Sequence, residues 1–159
     1  FIFLLSVPYI AAADPNHPFL IVAEPNYPVL RALASQSPWS NMKADAISDV
    51  QNLFYNPADD YGTKVSRMGN IAGAGALAYI LDPNNSSTYI NKLYNTMMNW
   101  SDLRAGLDKS DHSHTVPPGS AFFVSVLALD IIYNDLTVSQ RPSYCTIYSW
   151  IFRQYKVSI

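Results

Sequence analysis

The chain has 159 residues, of which 49% are hydrophobic and 14% are charged, and its net charge is −2. This composition suits one folded domain with a sizeable core, and it excludes an intrinsically disordered chain. Because the charge is small and negative, neither nucleic acid nor an anionic membrane surface is expected as a partner. Stable membrane insertion is not expected either, since the apolar run at the start of the chain is too short to span a bilayer.

The first 13 residues, FIFLLSVPYIAAA, have the character of a secretory signal peptide. A short apolar run precedes three alanines that fit a cleavage site, and the run is too short to span a bilayer. We expect residues 1–13 to be a truncated signal peptide and the protein to be secreted; a buried helix or strand is the alternative. Three sequons fit export to a compartment that glycosylates. They are at Asn84, Asn85 and Asn99.

The region that follows reads as a series of helices. An extended lead-in with prolines at 18, 25 and 28 precedes a short helix over 29–36, with Pro28 in its first turn. A second helix is predicted over 37–55, with Ser37 as its cap and Pro38 at its first helical position. Its apolar face comprises Met42, Ala46, Ile47, Val50, Leu53 and Phe54.

The third predicted helix, over 68–81, is rich in glycine and alanine. Gly69, Gly73 and Gly75 match neither the dinucleotide-binding nor the P-loop spacing, so a phosphate-binding loop is disfavoured. Small side chains predict instead that neighbouring helices approach closely. The residues predicted to be buried on one side are Leu77, Ile80 and Leu81.

Two further helices are predicted over 86–100 and 117–136. Ser86 or Ser87 caps the first, and Asp130 lies inside the second, where a buried carboxylate needs a partner. The apolar stripe of the first comprises Tyr89, Ile90, Leu93, Met97 and Trp100. A capping box, Thr137 with Gln140, starts one more helix. No strand pattern is present, so the sequence predicts an all-α fold.

The polar loop over 101–116 holds the most reactive stretch, in which His112 and His114 lie near Asp108 and Asp111. These four side chains are possible metal ligands, but the H-x-H spacing alone does not orient a third one. A histidine also suits proton transfer or neutralisation of a carboxylate. A solvated connector before a proline-started helix is favoured over both, so no metal and no cofactor is expected.

The C-terminal segment has a different character. No acidic residue follows Asp135 over the last 24 positions, and the helical pattern stops. We expect residues 142–159 to be a non-native tail and residues 14–141 to form the domain. The lone Cys145 has no histidine or cation beside it, so a buried apolar role is favoured over a nucleophilic one.

Three segments resemble, in their order, one group of enzymes. They are HPFLIVAEPNYPVLRALASQSPW, AGALAYILDPNNSSTYINKLYNTMMNW and ALDIIYNDLTVSQR. Each is similar to a successive helical motif in the heparinase II/III-like and alginate-lyase group of polysaccharide lyases. The resemblance covers about residues 16–141. It implies an incomplete (α/α) toroid of antiparallel helix pairs, the helical domain of the chondroitin AC/alginate lyase superfamily.

The resemblance also implies a secreted parent that cleaves uronic-acid-containing polysaccharide by β-elimination. That chemistry uses Asn, Gln or His to neutralise the carboxylate, and Tyr or His to move the proton. No residue here matches the group's catalytic motifs, so we expect an inactive fragment whose parent binds acidic polysaccharide. The alternatives are a non-catalytic carbohydrate-binding or scaffold domain and a protein-binding helical module.

Several residues are candidates for a site that binds such a substrate. The catalytic candidates are His112 and His114, and the substrate-binding candidates are Trp39, Trp100 and Lys109. The other basic residues available to an acidic sugar are Arg67, Lys92 and Arg104.

Overall fold

A computed structural model of the chain describes residues 21–99 and 116–143, together with Thr146. Every regular element in these ranges is helical, which confirms the all-α class. The α-helices are α1 (Tyr27–Leu33), α2 (Trp39–Asn52), α3 (Tyr61–Leu81), α4 (Ser86–Met97) and α5 (Val116–Ile132). Short 3₁₀ turns lie at Glu24–Asn26, Pro83–Asn85 and Tyr133–Asp135, and another helical stretch begins at Gln140. None of these described helices combines the length and apolar character needed to cross a bilayer.

Helix α3 is the centre of the fold, and α1, α2, α4 and α5 all pack against it. Arg67, near its start, donates to the carbonyl of Phe54, just past the end of α2, so α2 and α3 run antiparallel. Helix α4 is also antiparallel to α3, because Gly75 lies against Leu93 while Asp82 accepts from Tyr89 nearer the start of α4.

Helices α3 and α5 run parallel, since Gly69 faces Ala121 and Gly73 faces Val124. The two helices approach closely: a Cβ placed at Gly69 would lie 3.1 Å from the Ala121 Cβ, and one at Gly73 would lie 3.3 Å from Val124 Cγ1. The prediction that small side chains in this segment allow close helix packing is therefore confirmed.

The main hydrophobic core lies between α3, α4 and α5. It consists of Val65, Met68, Ala72, Ala76, Leu93, Met97, Ala121, Ala128, Leu129, Ile132 and Leu136. Met97 is fully buried in it, as a core-filling methionine should be. Asp130, on α5, is also buried.

Helix α3 begins seven residues earlier than the predicted start at 68, because Asp60 caps it. One Asp60 carboxylate oxygen accepts from the Thr63 backbone N–H at 3.0 Å, and the other accepts from the Thr63 hydroxyl at 2.6 Å. These bonds satisfy a backbone donor that the first turn leaves without a helical partner. The polar sequence of 61–67 hid this start, although an aspartate before a helix is a recognised signal.

The predicted caps of α2 and α4 are wrong. The N-cap of α2 is Pro38 and not Ser37, and the N-cap of α4 is Asn85, with Ser86 already inside the helix. Neither N-cap residue makes a side-chain capping bond. Both helices continue from a preceding turn whose backbone is already in or near a helical conformation, so a serine acceptor is not required for either to start.

The capping box at Thr137 and Gln140 is confirmed in one half. The Gln140 side-chain oxygen accepts from the Thr137 backbone N–H at 2.9 Å. The Thr137 hydroxyl, however, contacts the Gln140 and Ser139 side chains, while the Thr137 carbonyl accepts from the backbone of Gln140. The new helix is present, but it starts at Gln140 and not directly after Thr137, and a different set of bonds precedes it.

The predicted apolar face of α2 is only partly buried. Ala46 and Val50 are in the interior, but Met42 is 50% exposed and Phe54, beyond the helix end, is 61% exposed. Helix α2 has α3 as its one major packing partner among the described helices, so the apolar side chains on its flank and at its end stay in contact with solvent.

Replacing Asp60 with alanine is expected to lower the free energy of unfolding at neutral pH. Its hydrogen bonds to Thr63 hold the Asp60 pKa below the ordinary 3.8, so its stabilising effect is present above pH 3.8 and is lost as the pH falls through the lower folded-state value. Urea denaturation of wild type and Asp60→Ala across pH should show a difference that shrinks below pH 3.8. In Asp60→Asn, which keeps an acceptor without the charge, that pH dependence should disappear.

Candidate functional site

A groove of about 530 Å³ lies at the end of the bundle where α2 and α4 finish and the link to α3 begins. It is lined by Phe54, Tyr55, Pro57, Lys92, Asn95, Thr96 and Asn99, and we call it the Lys92 groove. Two aromatic rings, amide and hydroxyl groups and one ammonium group surround the same space. Rings can stack on a sugar face, amides can bond its hydroxyls, and an ammonium can pair with a carboxylate.

The polar wall of the Lys92 groove comes from one face of α4 and from the turn that follows it. Lys92, Asn95, Thr96 and Asn99 recur at steps of three and four, so their side chains follow one another along the helix. The neighbouring face carries buried Leu93, which anchors α4 against α3. The helical period thus places the polar groups along the groove, while the buried face of α4 packs into the core and fixes the position of the helix.

Among the described residues, Lys92 is the only cationic one that lines the Lys92 groove. Its ammonium donates to the Gln51 carbonyl over a long 3.4 Å, and partial burial lowers its pKa. No acidic side chain among the described residues is recorded in an ion pair with it. A partly desolvated ammonium without a counter-charge favours an anionic ligand, because such a ligand would restore the lost solvation of the charge.

Arg67, one of the basic residues considered for sugar binding, contacts the Phe54 ring that lines the Lys92 groove. Its guanidinium pairs with Asp59 at 2.8 Å, lies 5.6 Å from the centre of the Phe54 ring and donates to the Phe54 carbonyl. Arg67 therefore supports the exposed ring and is engaged in holding the fold. Sequence reasoning placed Phe54 in the core and overlooked Asn95, although Asn95 and Asn99 one helical turn apart were a visible signal.

Trp39 lies elsewhere, in a second groove of about 270 Å³ between α1, α2 and the end of α3. That groove is lined by Leu30, Leu33, Ala34, Trp39, Met42, Leu77 and Leu81. The structure does not bring Trp39 and Lys92 together, and none of the other described residues that line this groove has a polar side chain. Its role in substrate binding stays a prediction.

The remaining sequence candidates fall outside the described residues. They are His112, His114, Trp100, Arg104 and Lys109, together with residues 1–13 and most of the tail over 142–159. In the part of the chain that the structure describes, no group of three or more His, Cys, Asp or Glu side chains could hold a metal ion.

The described tyrosines whose pKa values are shifted do not have the lowered pKa that a general base at neutral pH requires. Burial is the first cause that raises the pKa of Tyr27, Tyr61, Tyr79 and Tyr89, the last to about 12. Tyr79 donates to Asp135 and Tyr89 donates to Asp82 at 2.7 Å, so both carboxylates add to the effect. These four hydroxyls stay protonated at neutral pH and serve as donors or as buried groups.

The three sequon asparagines occupy two different places. Asn84 and Asn85 are exposed on the 3₁₀ turn between α3 and α4, where the Asn85 amide donates to Asp82 at 2.9 Å. Asn99 is half-buried in the Lys92 groove, and its amide donates to the carbonyls of Asn95 at 2.9 Å and Thr96 at 3.4 Å.

Comparisons of the chain with protein-family models, with curated proteins and with solved structures found no match in any of the three. The arrangement of the described side chains therefore carries the functional argument.

Proposed function

We propose that this chain belongs to a secreted polysaccharide lyase and that it binds uronic-acid-containing polysaccharide in the Lys92 groove without cleaving it. The observation that carries this proposal is the half-buried Lys92 ammonium, which forms no ion pair with an acidic side chain of the described residues and lies between an exposed aromatic ring and two asparagine amides. A uronate residue offers a carboxylate for the ammonium, hydroxyls for the amides and a flat apolar face for Phe54.

The packing of the helices supports the toroid part of the proposal. Helix α4 runs opposite to α3, and α5 runs parallel to α3 and packs beside it. This alternation is what a series of antiparallel helix pairs produces when the pairs stand side by side. In such an array, the ends of successive helices form a common rim, and the Lys92 groove lies at one of these ends.

The absence of cleavage is proposed because β-elimination needs a group that abstracts a proton. The raised pKa values of the four tyrosines named above oppose that role. We expect no rise in the ultraviolet absorbance of a 4,5-unsaturated product when this chain is incubated with alginate or heparin. A steady rise in that absorbance would show that the chain cleaves its ligand.

Replacing Lys92 with alanine is expected to weaken binding of a uronate oligosaccharide by about tenfold or more, because a partly desolvated charge pair would be lost. Titration calorimetry at two salt concentrations measures this effect, and the wild-type affinity should fall as salt rises. Lys43→Ala, which removes a lysine of α2 that does not line the groove, is the matched control and should bind as wild type does. Equal affinities for Lys92→Ala and wild type would refute the proposed site.

The alternative, a non-catalytic carbohydrate-binding domain with no lyase parent, uses the same groove and predicts the same loss in Lys92→Ala. The two differ in the whole protein. A lyase parent should release the unsaturated product from the polysaccharide that the Lys92 groove binds, and a binding domain should not.

A further inference from the structure

We propose that Asn99 is a glycosylation site whose glycan closes the Lys92 groove, so that modification of this one residue controls polysaccharide binding. The inference rests on the proposed function and adds regulation of the same site. Asn99 is followed by Trp100 and Ser101, which completes a sequon, and its side chain lines the groove together with Lys92. A glycan attached there begins inside the space that a uronate would occupy.

The local hydrogen bonds are compatible with this modification. The unmodified amide donates to the Asn95 carbonyl at 2.9 Å and to the Thr96 carbonyl at 3.4 Å. A glycosylated asparagine keeps one N–H on the same nitrogen, which is enough for one of these two bonds. At most one bond is lost, so the end of α4 can keep its conformation while carrying a sugar.

The chemical step is a glycosyl transfer from a lipid-diphosphate-linked oligosaccharide. The Asn99 amide nitrogen loses a proton and forms a C–N bond to the anomeric carbon of the first sugar. The C–O bond from that carbon to the diphosphate breaks, and the lipid diphosphate leaves with the bonding electron pair. No oxidant or reductant is needed, and the product is a neutral amide with a bulky polar group.

The other two sequons provide an internal contrast. Asn84 and Asn85 precede α4, whereas Asn99 follows it. The 12 residues of α4 separate these positions by about 18 Å at 1.5 Å per residue. A glycan at Asn84 therefore starts at the opposite end of the helix, away from the Lys92 groove, and should leave binding unchanged.

The test uses the full chain secreted from a host that N-glycosylates, with mass spectrometry to locate glycans and calorimetry with a uronate oligosaccharide. Ser101→Ala removes the Asn99 sequon and leaves unchanged every described side chain that lines the groove. We expect a glycan on Asn99 of the wild type and a tenfold or greater gain in affinity in Ser101→Ala. Asn84→Gln is the matched control and should bind as the wild type does.

The same two chains made in a bacterial cytosol, without glycans, separate the possible failures. They should bind equally well, which excludes a direct effect of Ser101. If the unglycosylated wild type does not bind the oligosaccharide, the proposed function fails and this inference falls with it. If it does bind, an Asn99 without a glycan, or a glycosylated Asn99 with unchanged affinity, overturns this inference alone.

Discussion

Replacing Leu93 with alanine should destabilise the protein by about 2–5 kcal/mol, and replacing Gly75 with alanine by about 1–3 kcal/mol. Leu93 is fully buried in the main core, so its removal leaves a cavity. A Cβ at Gly75 would lie 2.7 Å from Leu93 Cδ2 and 2.9 Å from Leu93 Cγ, so the added methyl group overlaps a side chain with little room to move.

The double variant distinguishes this packing account from a general weakness of the helix. In the Leu93→Ala background, the Gly75 methyl group enters the vacated space, and alanine is a better helix former than glycine by about 1 kcal/mol. The second substitution should therefore be neutral or stabilising there, with a coupling energy of about 1–3 kcal/mol between the two positions. Additive losses would contradict the contact between these two residues.

Denaturant unfolding followed by circular dichroism measures all four proteins of this cycle. Gly62→Ala is the matched control, because it makes the same substitution in the first turn of α3, where the nearest atom would be 3.4 Å away and the residue is exposed. There the change should stabilise the protein by about 0.4–1 kcal/mol. Opposite signs at Gly62 and Gly75 would show that packing, and not the loss of glycine, decides the outcome.

Replacing Arg31 with methionine is expected to release α1 from the rest of the fold. The Arg31 guanidinium donates to the Ile80 carbonyl near the end of α3 at 2.7 Å and lies 5.7 Å from the centre of the Tyr27 ring. A hydrogen bond to a charged group contributes about 1.5–3 kcal/mol. Since α1 has only seven residues, it depends on such contacts and not on its own helical stability.

Hydrogen exchange measures this release locally. Protection of the amides in α1 should fall about tenfold or more, while protection in the α3–α5 core should change little. Arg31→Lys keeps the charge without the planar group and should recover part of the protection. Arg67→Met, at the other end of α3, is the positional control and should leave α1 unaffected. Uniform loss of protection along the chain would argue against a local role for Arg31.

The sequence predicts the helices of this fold better than their ends or their exposed faces. The segments around α1, α2, α4 and α5 follow from proline positions and apolar spacing, and these signals are local. The early start of α3 depends on the Asp60 side chain, and the exposure of Met42 depends on which helices pack beside α2. The exposure of Met42 is set by the tertiary structure and has no local signal in the sequence.

The candidate site was less predictable for the same reason. Lys92 was recognisable as one of several basic residues, but nothing in the sequence indicates that the Arg67–Asp59 pair holds Phe54 at the end of α2 beside α4. Apolar character alone assigned Phe54 to the interior. The grouping of Lys92, Phe54 and Asn99 appears only when the ends of α2 and α4 are brought together.

The central position of α3 has a consequence for how this protein can diverge. Neighbouring helices contact α3 at Gly69, Gly73 and Gly75. At these three positions a larger side chain would collide with the neighbouring helix. This segment of glycine and alanine has a simple composition, yet its residues are among the hardest in the chain to replace. Among related proteins, substitutions should accumulate in α1 and on the outer flank of α2. The spacing of the glycines in α3 should be retained even where overall sequence identity is low.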